Sequence, residues 1–257
     1  MIFVRAFDTL RRNPSLLLYP ALMDSAGLAA GWLAVGFIGT SQISVKLILD
    51  MGLPSLGHLI NVPIIMNSPD FLSRHGGGPV IGLVTLLFLL LTALMQGGYI
   101  ASLDKALRGE RRSFRQFLKD GRRAWVRFIL FYIIVALAKT AATTLLVLIF
   151  GAVGLFASLV LFLALRIRYI YLELAMVVDH LNIDTGMRRS RFYWKEAPAA
   201  TAAVVGIYYA VSALFSLLLH AFWHPLVLWA GVWLYAFVMT AVQLSFMLII
   251  HRVREDE

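Results

Sequence analysis

Apolar positions in this chain come in long unbroken blocks: Ser15–Gly39, Pro79–Leu103, Ala124–Phe150, Val153–Val178, Ala199–Phe222 and Pro225–Ile250. A helix needs about 20 apolar residues to cross a hydrocarbon core of about 30 Å, and each block is long enough. The third and fourth nearly merge, because Lys139 is the only charge between Phe128 and Leu165. One helix of that length would rise about 57 Å, too far for a single crossing. Gly151 and Gly154 are therefore expected to make a tight turn between two spans. "HAFWHP" divides the fifth block from the sixth, and Pro225 is suited to the first turn of a new helix. The first block is longer than the 7–15 apolar residues of a signal peptide and is expected to be a mature span.

Composition agrees. The chain is 60% hydrophobic and only 14% charged, against roughly 25% charged in soluble domains, and its mean hydropathy is +0.81. It contains no cysteine, which removes disulfides, iron–sulfur clusters and thiolate zinc sites from consideration.

The net charge of +9 would suggest nucleic acid in a soluble protein, most of all at "KALRGERRSFRQFLKDGRRAWVR", residues 105–127. In a membrane protein it sets orientation first, since lysines and arginines in short loops stay cytoplasmic. With six spans, all but three of the 23 basic residues fall on the side of both termini. Lys46 and Arg74 lie opposite, and Lys139 lies within a span. The expected architecture is an all-α, single polytopic domain over 1–257 in a bacterial cytoplasmic membrane, both termini inside.

The basic run is also amphipathic. Phe114, Phe117, Leu118 and Trp125 share one helical face, with Arg111, Arg112, Arg115, Lys119, Arg122 and Arg123 mostly on the other. That pattern suits a helix lying among anionic headgroups. A docking surface for a partner is the second reading. Nucleic acid is not expected, as no binding signature accompanies the charge. A similar arrangement opens the chain, where Phe3, Phe7 and Leu10 face away from Arg5, Asp8, Arg11 and Arg12 before the breaker Asn13-Pro14. A third, looser copy holds Arg188, Arg189 and Lys195 before Ala197-Pro198. Three units follow, 1–103, 104–178 and 179–257, each an interfacial helix and a transmembrane hairpin. The first has an external insertion, 40–78. Ile43, Leu47 and Met51 in helical register predict that a short helix in the insertion lies on the outer membrane face or against a partner.

"GGYIASLDKALRGERRSFRQFLKDGRRAWVRFILFYII", "LELAMVVDHLNIDTGMRRSRFYWKEAP" and "RRNPSLLLYP" resemble segments of bacterial six-helix membrane proteins of the YciC type. That family is related to the membrane domain of some glycerophosphoryl diester phosphodiesterases. The resemblance implies architecture and localisation. The phosphodiesterase activity of those relatives belongs to a separate domain, which is not expected here because the chain stops soon after the sixth block.

Asp24 and Lys139 are the ionisable residues clearly inside spans, at similar distances from the cytoplasmic end, and a salt bridge between spans one and three is expected. Ionisable groups at such depth are costly and pair or face a water-filled path. Arg166, Arg168 and Glu173 read as interfacial anchors, with an anionic headgroup site as the sharper alternative. Gln96 and Gln243 are expected to bond between helices, and Gly27, Gly31 and Gly36 to let a neighbouring helix approach. His220 and His224 have the i, i+4 spacing of zinc ligands but no local third ligand, so no metal or cofactor is expected. There is no P-loop, GxSxG elbow or HExxH motif, and enzymatic turnover is not expected. Two function classes remain: an accessory or scaffold subunit of a larger membrane complex docking anionic lipid, or a transport protein such as the permease subunit of an exporter. The charge bias is tested by single cysteines: one at Ser55 should react with an impermeant thiol reagent added outside. One at Ser113 should be protected in intact cells, and its labelling there would overturn the orientation.

Overall fold

The computed structural model describes residues 2–68, 70–71, 74, 78–110 and 113–257. Among these residues the regular structure is helical, without strands. Its α-helices are α1 (Ile2–Arg12), α2 (Ser15–Val35), α3 (Pro79–Leu107), α4 (Phe114–Phe150), α5 (Ala152–Arg168), α6 (Leu172–Val178), α7 (Ile183–Glu196), α8 (Pro198–Ala221) and α9 (Pro225–Glu255). Six stretches are long and apolar enough to cross a membrane: α2, α3, α4, α5 running on into α6, α8 and α9. The chain has the architecture of a multi-pass membrane protein.

The boundaries follow from local chemistry. Pro79, Pro198 and Pro225 open α3, α8 and α9, where a missing N–H costs nothing. Ser113 caps α4 by accepting from the Gln116 N–H. The turn between α4 and α5 falls at Gly151, with φ +57°. A Cβ on Gly154 would lie 2.0 Å from the Leu146 carbonyl oxygen, so the hairpin closes only on glycine.

Apolar character does not say which helix lies inside. α9 is the axis, packed by α1, α2, α3, α7 and α8, and 72% of its apolar stretch is buried. The still more apolar stretch of α4 has none buried. α4 is joined to the bundle through its first turns, where Gly97 and Gly98 of α3 meet Gly121. A Cβ on Gly121 would sit 2.4 Å from the Leu94 carbonyl oxygen, a close approach that only small residues allow. Beyond that crossing α4 and α5 pack on each other, and Leu137, Leu148, Val153 and Phe156 are all exposed.

Two expectations change. The basic stretch from Phe114 is not a separate interfacial helix, because α4 continues through it unbroken to Phe150. The fourth apolar block is interrupted instead, at 169–171, where the Tyr171 N–H finds the Ser190 hydroxyl at 3.2 Å.

The larger correction concerns 40–78. No helix forms over Ile43, Leu47 and Met51. After Gly36 the chain runs in extended form into the bundle, turns near Gly52, makes a 3-10 turn at Leu56–His58 and climbs back out. Leu49, Met51, Leu53, Leu56, Leu59, Ile64 and Ile65 are core residues. The glycines of α2 are spaced for this inserted segment rather than for a helix: a Cβ on Gly31 would meet the Ile64 carbonyl oxygen at 2.1 Å. Ser55 is buried, so exposed Gln42 is the better outside reporter for the labelling experiment.

Gly52 combines φ +93° with a Cβ position 1.8 Å from Gln96 Nε2. Gly52→Ala should therefore lower stability by about 2–4 kcal/mol, from backbone strain plus overpacking. Gly206→Ala, where a Cβ meets nothing within 4 Å, should be neutral or stabilising, since alanine favours helix. Thermal unfolding of both variants in detergent measures the contrast.

Candidate functional site

The inserted segment brings peptide groups into the apolar interior, where each must find a partner. Its descending limb runs along α8. Gln42 N–H donates to the His220 carbonyl at 2.9 Å, Lys46 N–H to the Ser216 hydroxyl at 2.9 Å and Asp50 N–H to the Tyr208 hydroxyl at 2.9 Å. From His220 to Tyr208 a helix rises about 18 Å, which measures how far the limb descends. At the bottom two glutamines hold the turn. Gln96 accepts from Leu53 N–H and donates to the Met51 carbonyl, at 2.8 and 2.7 Å. Gln243 accepts from Gly52 N–H and donates to the Asp50 carbonyl, at 3.1 and 3.2 Å. Each side-chain amide pairs with the backbone as a neighbouring strand would. The expected helix-to-helix role is replaced by this clamp. From Pro225 to Gln243 α9 rises about 27 Å, so the clamp lies well inside the spans.

Asp24 supports the returning limb. Its carboxylate accepts from Ser55 Oγ at 2.7 Å, Leu56 N–H at 2.5 Å and Asn67 Nδ2 at 2.9 Å. The expected Asp24–Lys139 bridge is not made: Asp24 is fully occupied by the inserted segment, whereas Lys139 sits on the exposed side of α4.

Around the turn lie two ion pairs. Asp50 contacts His58 Nδ1 at 2.6 Å. Arg166 contacts Glu173 at 2.5 Å while its Nε donates to the Leu49 carbonyl at 2.6 Å. Arg166 and Glu173 are thus not interfacial anchors. They brace the break between α5 and α6 against the inserted segment. Glu173 is only 3% exposed at its side chain, Arg166 24%, His58 32% and Asp50 42%. α8 packs on α7 and α9 rather than on α4 or α5, so Asp50, His58 and Arg166 stay partly accessible beside the inserted segment while Glu173 is buried. Glu173 Oε2 and the buried Tyr209 hydroxyl have no hydrogen-bond partner among the described residues.

The basic end of the bundle is organised differently. Arg11, Arg12, Arg115, Lys119, Arg122, Arg123, Arg188 and Lys195 are exposed there, and Arg111 and Arg112 lie outside the described residues. Of the aromatic anchors, Phe114 is exposed. Phe117 is buried and stacks on Tyr19 at 4.0 Å, and Trp125 donates to the Leu90 carbonyl at 2.9 Å. Neither ring is free to dock a partner. A cavity of about 270 Å³ is lined by Asp104, Lys105, Arg108, Asp120, Arg123 and Arg127 among others. Its charges are largely spent internally: Lys105 pairs with Asp120, and Asp104 with Arg108 and His251. Arg189 contacts Glu257 at 2.5 Å and holds that exposed carboxyl below its ordinary value.

His220, considered above as a metal ligand, uses Nε2 to accept from Asn61 N–H at 3.0 Å. No cluster of three or more metal-ligating side chains occurs among the described residues. The Asp50–His58 pair and the glutamine clamp escaped sequence reasoning. The available signals were two glutamines inside apolar spans and a long segment containing Gly52. No protein-family model, curated protein or solved structure matches the chain, so its function is read from this geometry.

Asp24→Ala should destabilise by on the order of 3–5 kcal/mol, because it strands three buried donors. Lys139→Ala should change stability by no more than about 0.5 kcal/mol, as expected away from buried contacts. Thermal stability in detergent should show additive effects in the double variant. A coupling above about 1 kcal/mol would restore the direct pair.

Proposed function

We propose that this is a transport protein of a bacterial cytoplasmic membrane, with both termini cytoplasmic, three helical hairpins and basic helices at the inner surface. The observation that carries the reading is the non-helical segment drawn into the spans beside two partly accessible ion pairs. Irregular backbone at membrane depth is tolerated where protein buries it or a water-filled cavity wets it. In transporters, broken helices near the midplane form the substrate site. Here Arg166, just before the break at 169–171, bonds Glu173 just after it and the Leu49 carbonyl on the approach to the Gly52 turn. Buried ionisable groups in spans mark substrate or proton paths by default. The resemblance to YciC-type proteins supports the architecture and is silent on the substrate.

The accessory-subunit reading keeps one supporting observation: α4 and α5 expose apolar side chains along their far halves wherever they do not pack on each other. Lipid covers such a surface as well as a partner does, so this favours the scaffold only if another protein is found there. The two readings part at the exposed side of the inserted segment, where Val45 and Leu47 lie.

The chain has no cysteine of its own, so single substitutions report cleanly. Val45→Cys and Leu47→Cys, exposed on the inserted segment, should react with an impermeant thiol reagent in proteoliposomes, while Leu148→Cys, exposed on α4, should not. Protection of both segment positions would mean that no water reaches the ion pairs, and the transport reading would fail.

A further inference from the structure

The cavity at the basic end of the bundle holds two cations that no acid answers. Among its lining residues Lys105 pairs with Asp120, whose other oxygen accepts from Gln116 Nε2 at 3.2 Å. Asp104 is shared between Arg108 and His251, each at 2.8 Å. The remaining acid, Glu110, is half exposed and lies 4.0 Å from Arg108. Arg123 and Arg127 line the same cavity, and neither makes an ion pair among the described residues. The Arg127 guanidinium donates instead to the Met176 and Leu181 carbonyls, at 3.1 and 2.9 Å. Those contacts hold the turn that follows α6, where His180, with a left-handed φ of +56°, also lines the cavity. Arg123 and Arg127 stand one turn apart on α4, a spacing at which like charges destabilise a helix. Arg115, Lys119 and Arg122 add to the same stretch, and its one acid, Asp120, is already neutralised.

We infer that this cavity is a binding site for a phosphate group, with Arg123 and Arg127 as its cationic ligands and His180 as a further donor. Guanidinium forks match phosphoryl oxygens through paired, charge-assisted hydrogen bonds, and a bound phosphate removes the repulsion between the two arginines. The volume of about 270 Å³ falls just below the range of about 300–1,000 Å³ usual for small-molecule sites. It suits a phosphate ion or a phosphate ester headgroup rather than a large metabolite. One turn beyond Arg127 the exposed surface of α4 becomes apolar, at Leu130, Ile133 and Ile134. The cavity thus lies at a border that bilayer phosphates and soluble phosphates both reach. The site is independent of the transport reading, since it uses none of the residues around the inserted segment.

Titration calorimetry on the full-length protein in uncharged detergent tests this with three probes: inorganic phosphate, glycerol 3-phosphate and short-chain phosphatidic acid. At least one should bind saturably, at one site per chain. Arg123→Gln should weaken that binding at least about tenfold, as loss of a charge-assisted hydrogen bond implies. The Arg123 side chain has no hydrogen bond or ion pair among the described residues to lose, so the same variant should not lower the thermal stability of the unliganded protein. Arg122→Gln, exposed on the same helix but outside the cavity, should change binding by less than about twofold, as a screened surface charge does. Phosphatidic acid binding at least about tenfold tighter than glycerol 3-phosphate would support the site and identify its ligand as a lipid headgroup. Comparable affinities would support it as a site for soluble phosphate. No saturable binding of any probe, or equal losses in the two variants, would overturn the inference.

Discussion

A peptide group inside a membrane protein must be hydrogen-bonded by protein or by trapped water, and this fold is arranged around one segment that makes that demand acute. Helices meet the demand within themselves. The stretch from Gly36 to Ser68 does not, and the polar side chains deepest in the spans are there to serve it. Gln96, Gln243, Tyr208, Ser216, His220 and Asp24 come from α2, α3, α8 and α9, and each bonds the segment's backbone. Remove the segment and these buried polar groups lose their partners. Keep it, and four helices are held in one register.

The same constraint separates what was legible in the sequence from what was not. Apolar blocks of spanning length, the proline and glycine boundaries and the turn at Gly151 follow from local chemistry, and the spans could be placed within a few residues. Burial could not be ranked, because α4 and α9 are both apolar all round and differ only in what surrounds them. Asp24 and Lys139 were reasonable partners by depth, but depth is one coordinate of three. Gln96 and Gln243 were visible as polar residues in apolar spans. Their true partners lie far away in sequence, on a stretch whose apolar side chains at i, i+4 and i+8 imitate a surface helix. Gly52 is the residue that contradicts that helix, and its importance is plain only beside Gln96.

The two ends of the bundle handle charge in opposite ways. At the basic end, exposed arginines and lysines form a band whose innermost members pair among themselves, as at Lys105–Asp120 and Asp104–His251. That band suits an anionic surface and needs no cavity. In the interior charge is sparse and Asp24, Asp50, His58, Arg166 and Glu173 each have a structural neighbour, with Arg166 linking Glu173, just past the break in the fourth span, to the inserted segment. The first pattern leaves charge on the surface; the second spends it on holding the fold.

The inserted segment also sets an order of assembly. Its supports on α8 and α9 lie more than 140 residues later in the chain than Gln42 to Gly52. Synthesis proceeds from the N-terminus, so α2 and α3 enter the membrane long before Tyr208, Ser216 and Gln243 exist. Until then the segment has no complete set of partners and must wait in water. Its descent into the bundle is therefore a late event of biogenesis, coupled to insertion of the last hairpin. The final two helices thus act as an internal checkpoint that a partly made chain cannot pass.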